Sequence, residues 1–223
     1  MGHRETPGER RMNYFVIQVL TRSEQKFIRL ANRALSLPPA GASKDPFAPE
    51  ESATPRGSRY MDLPPGFSAD ALPGRILWPR RSLTIRRKGK NQHSLAPIFP
   101  GYLFYEADEI HPDIYWTLRR LSGFIRFLKS NTAIEPLGGS ERALLLHFLS
   151  FGEIVDKSLV YFDENRRIRV VRGPLKGLEG EVVKVDKRKK RAKVRLAMYD
   201  ERFLVDFGFD VLEPAEGHEK SKE

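Results

Sequence analysis

Cysteine is absent from this chain of 223 residues, and its absence removes two kinds of chemistry. Without thiols the chain can form neither a disulfide bond nor a thiolate metal site. Histidine is scarce, and none of the five histidines has metal-ligand spacing to a carboxylate or to a second histidine. They are His3, His93, His111, His147 and His218. The sequence therefore predicts neither a metal nor a cofactor.

Long apolar runs and catalytic signatures are also missing. No run reaches the ~18 apolar residues that a membrane-spanning helix needs, and Met1–Arg11 lacks the apolar core of a signal peptide. The stretch Gly173-Pro-Leu-Lys-Gly177 lacks the Gly-Lys-Ser/Thr ending of a phosphate-binding loop, and no Gly-x-Ser-x-Gly occurs. These absences predict a cytoplasmic protein with no membrane partner and no enzymatic activity.

Acidic residues are too few to balance the basic ones. The chain has 39 Lys and Arg against 29 Asp and Glu, which gives a formal net charge of +10. A chain this basic often meets a polyanion such as nucleic acid. A well-solvated surface explains the same charge, so composition alone leaves both interpretations open.

The first part of the chain predicts a strand followed by a helix. Tyr14–Leu20 is mostly apolar and rich in β-branched and aromatic residues, as strands are. Thr21 and Glu24 then have the spacing of a helix capping box, and Pro38 ends the helical pattern. The apolar stripe of this helix consists of Phe27, Leu30, Ala31, Ala34 and Leu35.

Further strands and helices are predicted from Arg75 onward. In chain order they are a hairpin of Ile76–Trp78 and Leu83–Ile85, a basic loop at Arg86–Lys90, a strand at Gly101–Tyr105, a helix from Pro112, a strand at Phe124–Leu128 and a helix capped by Ser140 and ended by Gly152. Mixed in this way, the elements predict an α+β domain, an antiparallel sheet with helices on one face.

Three segments lack the pattern of folded elements. Residues 38–74 hold 8 of the 16 prolines and little apolar periodicity, which predicts a disordered insertion. Residues 1–11 are interpreted as a disordered extension and residues 215–223 as a charged tail.

The C-terminal part of the chain has an all-β pattern. Residues 153–163 carry little pattern and are interpreted as a linker, and residues 164–214 contain short strands at about ten-residue spacing. The strands are Ile168–Val171, Glu181–Val185, Lys193–Leu196 and Phe203–Val205. Short strands separated by turns in this way predict a small barrel.

Two stretches resemble a known family. Phe99-Pro-Gly-Tyr102, taken with Tyr14–Val19 and Gly123-Phe-Ile125, resembles the N-terminal domain of NusG proteins. The stretch Arg169–Val183 resembles a KOW motif. KOW motifs also occur in ribosomal proteins, but the two signals in this order are specific to the NusG family. The resemblance implies an N-terminal NusG domain over residues 12–152 and an SH3-like KOW barrel over residues 164–214.

The resemblance also implies a monomeric transcription elongation and antitermination factor. Domains of this type dock an apolar patch onto the clamp helices of the largest RNA polymerase subunit. The matching positions are Tyr14, Phe99, Tyr102 and Phe124. Large aromatics in a groove that accepts a partner helix would dominate such binding. Their neighbours Phe15 and Ile125 are assigned to the core instead.

The KOW turn is expected to depend on its glycines. Gly173 and Pro174 turn the chain out of the first barrel strand, and Gly177 and Gly180 permit backbone conformations closed to other residues. Leu175 stands where housekeeping members carry an aromatic that contacts Rho or a ribosomal protein. This departure favours a specialised LoaP- or RfaH-like paralogue over coupling to Rho or to the ribosome.

Two basic loops are predicted to contact RNA or DNA. Arg166–Arg195 contains 13 Lys and Arg against 3 Asp and Glu, an excess equal to the net charge of the whole chain. Such loops supply phosphate contacts without reading sequence, although a solvated turn would have the same composition. The predicted contacts are Arg86, Arg87, Lys88, Lys90, Lys176, Lys184, Lys187, Arg188, Lys189, Lys190, Arg191 and Lys193.

The alternative function is a ribosomal or RNA-binding protein of the KOW type that does not act on polymerase. The N-terminal resemblance argues against it.

Overall fold

The computed structural model describes residues 12–35, 74–87, 89–131, 134–199 and 201–212. They form two compact units. The first unit comprises the described residues up to Trp78 together with Gly101–Leu137, and the second comprises Pro79–Pro100 together with the described residues from Gly138 onward. The predicted extension at residues 1–11, the tail at residues 215–223 and all of the predicted insertion except Gly74 lie outside the described residues.

The described elements are twelve strands and three α-helices. The strands are β1 (Asn13–Val19), β2 (Gly74–Leu77), β3 (Arg80–Arg87), β4 (Lys90–Pro97), β5 (Tyr102–Ala107), β6 (Phe124–Phe127), β7 (Ile154–Val155), β8 (Ser158–Phe162), β9 (Ile168–Arg172), β10 (Val182–Asp186), β11 (Arg191–Met198) and β12 (Glu201–Val211). The helices are α1 (Glu24–Leu35), α2 (Pro112–Arg119) and α3 (Gly139–Leu149). No helix in the described ranges is long and apolar enough to cross a membrane.

The first unit is an antiparallel sheet with two helices, as the α+β prediction required. Its strand order is β2-β5-β1-β6, so β1 and β5 are central. The central position explains why residues Tyr14 to Ile17 are all buried. The core joins the sheet to Phe27, Ala31 and Leu35 of α1, which are the fully buried members of the predicted stripe.

Both predicted helix caps are wrong. Helix α1 begins at Glu24, and the buried Glu24 carboxylate accepts a hydrogen bond from the backbone N–H of Gly101 at 2.8 Å. The carboxylate therefore ties the helix to the loop before β5, and it is too early in the helix to close a capping box with Thr21. Helix α3 begins at Gly139 after the N-cap Gly138, without a side-chain cap, so Ser140 lies inside the helix.

The predicted hairpin has a different partner strand. Leu83–Ile85 belongs to β3, which pairs with β4, and the basic loop Arg86–Lys90 is the end of this hairpin. Ile76 belongs to β2, which pairs with β5, and both of these strands lie in the first unit. Strand β4 begins Lys90-Asn-Gln-His-Ser, and a polar run of this kind gives no periodic apolar signal from which a strand can be predicted.

The second unit contains a five-stranded sheet in the order β10-β11-β12-β8-β9, consistent with a KOW domain. Strand β8 lies inside the predicted linker, which is therefore wrong at Ser158–Phe162. It pairs parallel with β12 and antiparallel with β9. A three-stranded sheet in the order β4-β3-β7 belongs to the same unit.

Aromatic side chains join the second unit across distant parts of the sequence. The ring of Phe99 packs edge-on against Phe148 of α3 and Phe203 of β12, with centroids 6.1 and 5.9 Å apart. Phe148 in turn stacks on Phe207 at 5.4 Å. The compact units therefore differ from the domains drawn from the sequence, because the β3–β4 hairpin and α3 are grouped with the barrel.

Candidate nucleic-acid interface and docking residues

Three of the four predicted polymerase contacts are buried in this structure. The side chains of Tyr14, Phe99 and Tyr102 are only 7%, 1% and 2% exposed. Tyr14 is held on β1 by a 2.8 Å hydrogen bond from its hydroxyl to Glu106 Oε1. Phe99 lies in the second unit, whereas the other three residues lie in the first. The prediction that these three aromatics lie on the surface is therefore corrected.

Phe124 and its neighbour Ile125 lie on β6, an edge strand of the first unit. Phe124 is half-buried against Phe27 and Phe127, with ring centroids 6.5 and 5.5 Å apart. Ile125 was assigned to the core, but its side chain is 44% exposed. The pairing of β6 with β1 shifts register between Arg126 and Phe124, so Ile125 lies at a bulge of this edge strand. Phe15 is buried in the core as predicted.

The KOW turn is built around Ser158. Gly173 has φ +101°, and a Cβ at this position would lie 2.7 Å from Ser158 Cα. The backbone N–H of Leu175 donates to Ser158 Oγ at 3.0 Å, and both side chains are buried. The leucine that replaces the expected aromatic therefore fills the interior instead of facing a partner.

Helix α3 contacts this turn through a histidine. His147 Nε2 lies 2.8 Å from the carbonyl oxygen of Pro174. A carbonyl oxygen can only accept, so the imidazole donates through Nε2–H. The contact fixes the side chain of His147 against the turn.

The remaining two glycines of the turn differ from each other. Gly177 has φ +83°, where a side chain would be strained, and its N–H donates to Glu179 Oε2 at 2.8 Å. Gly180 lies in a single 3-10 turn, Glu179–Glu181, without a positive φ and with open space at its Cβ position. The prediction that Gly180 requires glycine is therefore wrong.

The densest basic cluster is the turn between β10 and β11. Asp186 orders this turn, because its Oδ1 accepts the backbone N–H of Lys189 at 2.9 Å. Lys190 closes the turn with φ +51°. Lys187 Nζ lies 3.9 Å from the centroid of the Phe162 ring, a cation–π contact that holds its ammonium near the end of β8.

Carboxylates partly neutralise some of the predicted phosphate contacts. Lys189 Nζ lies 3.9 Å from Asp186, Lys190 Nζ lies 3.9 Å from Asp210, and Lys193 Nζ lies 3.8 Å from Asp206. In contrast, four exposed cations form no ion pair among the residues that the structure describes: Arg86, Lys90, Lys184 and Arg188. The side chains of Arg87 and Lys88 lie outside the described part, and Lys176 is exposed on the KOW turn.

Two arginines join the β3–β4 hairpin to the barrel. Arg81 donates from Nε to the backbone oxygen of Asp206 at 2.5 Å and from Nη1 to the backbone oxygen of Pro97. Burial lowers the pKa of Arg81 to about 10, so the guanidinium stays charged at neutral pH. Arg191 donates from Nη2 to the backbone oxygen of Thr84 at 2.8 Å. The guanidinium of Arg191, a predicted phosphate contact, thus binds the backbone of β3 in this structure.

The order of the basic turn is expected to depend on pH. The backbone N–H of Lys189 and then the nearby cations lower the pKa of Asp186 below its usual 3.8. The ionised Asp186 carboxylate therefore stabilises the folded turn. Because its pKa is lower in the folded state than in the unfolded state, this stabilisation is complete above pH 3.8 and is lost as the pH falls through the folded pKa. In an NMR titration, the amide shift of Lys189 should move with a midpoint below pH 3.8. The Asp186→Asn variant should show no such transition, and a midpoint at or above 3.8 in the wild type would contradict the expected order.

Comparisons with known proteins identify two regions of the chain. The family model described as transcription termination factor NusG matches residues 12–146, and the KOW motif model matches residues 164–195. A NusG-type region followed by a KOW motif is the domain pair of a class of transcription factors. The chain belongs to the NusG family, as its sequence motifs predicted.

Its relatives are similar at modest identity. The NusG of Borreliella burgdorferi is 25% identical over 136 residues, which cover 57% of this chain and 73% of that protein. The NusG of Vibrio cholerae is 27% identical over 148 residues, which cover 65% and 79%. A solved structure of Thermotoga maritima NusG, concerned with domain interaction, aligns over 90% of this chain and 96% of its own with 14% identity and a TM-score of 0.48.

Proposed function

We propose that this protein is a cytoplasmic transcription elongation and antitermination factor that acts by binding and not by catalysis. The NusG model over residues 12–146, followed by the KOW motif over residues 164–195 in the same chain, is the observation that supports it most. Similar proteins in two bacteria are named transcription termination/antitermination proteins. In this proposal the protein binds as a monomer to the clamp helices of the largest polymerase subunit, and its basic loops contact nucleic acid.

The docking surface in this proposal centres on β6. Of the four predicted contacts, Phe124 alone is partly accessible, and Ile125 beside it presents an exposed apolar side chain on an edge strand. An apolar side chain of this size can contribute to binding a partner helix. The buried Tyr14 and Tyr102 would support the sheet behind this surface.

Single-round transcription by the cognate polymerase, across a pause and a terminator, tests the proposal. The protein should speed elongation and increase readthrough. Ile125→Asp should abolish both effects, because it places a charge in the apolar contact. Val171→Asp is a matched control, since Val171 is a similarly exposed apolar residue on a strand of the second unit. It should leave both effects unchanged.

Polymerase with charge-reversed clamp helices should no longer bind the protein. Equal binding to that polymerase would contradict the docking model. Co-sedimentation with ribosomes in high salt, with no effect on transcription, would instead favour a KOW-type ribosomal or RNA-binding protein.

A further inference from the structure

The β3–β4 hairpin and the β10–β11 turn extend beyond the same end of the barrel. Along β3, Arg81 lies against Asp206, and the oxygen of Ser82 lies 3.6 Å from the Cβ position of Gly208. Two residues further on, the oxygen of Thr84 accepts the bond from Arg191. Strand β3 therefore runs in the direction of β12, and its last residues continue past the level of Gly208.

The basic turn lies past that same level. Arg191 pairs with Gly208 on one side and with Asp186 on the other, so residues Lys187–Lys190 form the turn immediately beyond this row. On the hairpin, Arg86 is two residues beyond Thr84, or roughly 7 Å along the strand. The Arg191–Thr84 hydrogen bond thus places the two basic loops side by side.

We infer that the two loops form one cationic surface that binds the phosphate backbone of a double-stranded nucleic acid. Its described members are Arg86, Lys90, Lys184, Lys187, Arg188, Lys189 and Lys190. Two carboxylates lie near these seven cations, Asp186 within the turn and Asp210 beside Lys190. The surface therefore keeps an excess of positive charge. This inference rests on the proposed nucleic-acid role and specifies both the site and the class of ligand.

The composition of the loops favours a duplex over a single strand. Proteins that bind single strands stack bases on exposed aromatic side chains. Neither Thr84–Asn91 nor Lys184–Arg191 contains an aromatic residue, and the nearby Phe162 is half-buried with Lys187 against its ring. Basic loops that themselves carry no aromatic residue are suited to phosphates, which a duplex presents in closely spaced rows on its outside.

Binding of the full chain to a short duplex, as a function of salt, tests this surface. One variant removes two hairpin cations (Arg86→Gln with Lys90→Gln) and a second removes two turn cations (Lys187→Gln with Arg188→Gln). Each lost phosphate contact lowers the slope of log affinity against log salt by about 0.9, so each variant should lower it by about 1.8 and their combination by about twice that. Binding should follow a stoichiometry of one duplex per protein.

A matched control removes the same charge elsewhere on the same sheet. Arg195 and Arg202 are exposed on β11 and β12, and Arg195 is four residues along β11 from Arg191, roughly 13 Å. Arg195→Gln with Arg202→Gln should leave the salt slope unchanged. A loss equal to that of the loop variants would show that binding follows total charge, which would overturn the inference.

The other outcomes separate this inference from the proposed function. If the hairpin variant has no effect while the turn variant does, or if two duplexes bind per protein, the single surface is wrong but nucleic-acid binding stands. Tighter binding to the single strand than to the duplex would also overturn the inference. If no nucleic acid binds, the proposed role of the basic loops fails as well, whereas the transcription assay still decides the polymerase role. Parallel titrations with RNA and DNA duplexes show which of the two is preferred.

Discussion

Replacing Gly173 by alanine is expected to lower the free energy of unfolding of the second unit by about 3 kcal/mol or more. The backbone at Gly173 has φ +101°, and the new Cβ would lie 2.7 Å from the backbone Cα of Ser158. Strained backbone of this kind costs about 1–3 kcal/mol, and forced overpacking adds about 1–3 kcal/mol. The position of the new Cβ is fixed by the backbone of residue 173, and its nearest neighbour is a backbone atom of Ser158, so rotation of a side chain cannot relieve this clash.

The other turn glycines provide graded controls for this experiment. Gly177→Ala has open space but φ +83°, so it should cost only the left-handed strain of about 1–2 kcal/mol. Gly180→Ala has neither a clash nor a positive φ and should be neutral within about 0.5 kcal/mol. Urea unfolding, followed by circular dichroism and by NMR signals of the barrel, gives all three values. A Gly173→Ala variant as stable as Gly180→Ala would contradict the turn geometry described above.

Replacing Arg81 by alanine is the second change with a large expected effect. The guanidinium donates to the backbone oxygens of Asp206 and Pro97 and lies 5.9 Å from the centroid of the Phe207 ring. Hydrogen bonds from a charged group contribute about 1.5–3 kcal/mol each, and an acceptor left without a donor loses this stabilisation. We therefore expect a loss of about 3 kcal/mol in the free energy of unfolding of the second unit.

Lysine at position 81 separates charge from geometry. It keeps a positive charge but cannot donate in two directions as the planar guanidinium does, so Arg81→Lys should lie between wild type and alanine. In the Arg81→Ala variant, hydrogen exchange should show that β3 and β12 both open faster than in the wild type, because Arg81 joins these two strands. Opening of β3 alone, with β12 unchanged, would contradict this role.

The sequence predicts the first unit well because its elements have strong local patterns. Apart from Gln18, Tyr14–Leu20 is a run of apolar and aromatic residues, which suits the central position of β1 in the sheet, and α1 has a clear apolar stripe. Strand β4 was missed because its first five residues are polar, and its partner β3 specifies it through pairing. Strand β8 was missed because five residues between polar segments give too short a pattern.

The candidate sites show a similar division. The sequence predicts glycine-requiring backbone at both Gly177 and Gly180, but only Gly177 has a positive φ, because the same residue type also occurs where the backbone does not require it. The burial of Phe99 depends on packing against Phe148 and Phe203, which are far from it in the sequence, and no local pattern contains this information. For the same reason the sequence predicts the two basic loops separately, whereas the contacts that relate them join β3 to residues more than a hundred positions later.

The contacts of Phe99 also have a consequence for synthesis on the ribosome. Its partner Phe203 follows about a hundred residues later in the chain. At translation rates of about 5–20 residues per second, roughly 5–20 seconds therefore pass between the synthesis of Phe99 and that of Phe203. During that interval the Phe99 ring and the Arg81 guanidinium of the β3–β4 hairpin lack their final partners on β12. The many cations of this hairpin, which repel one another, help to keep the unfinished polypeptide soluble until β12 emerges.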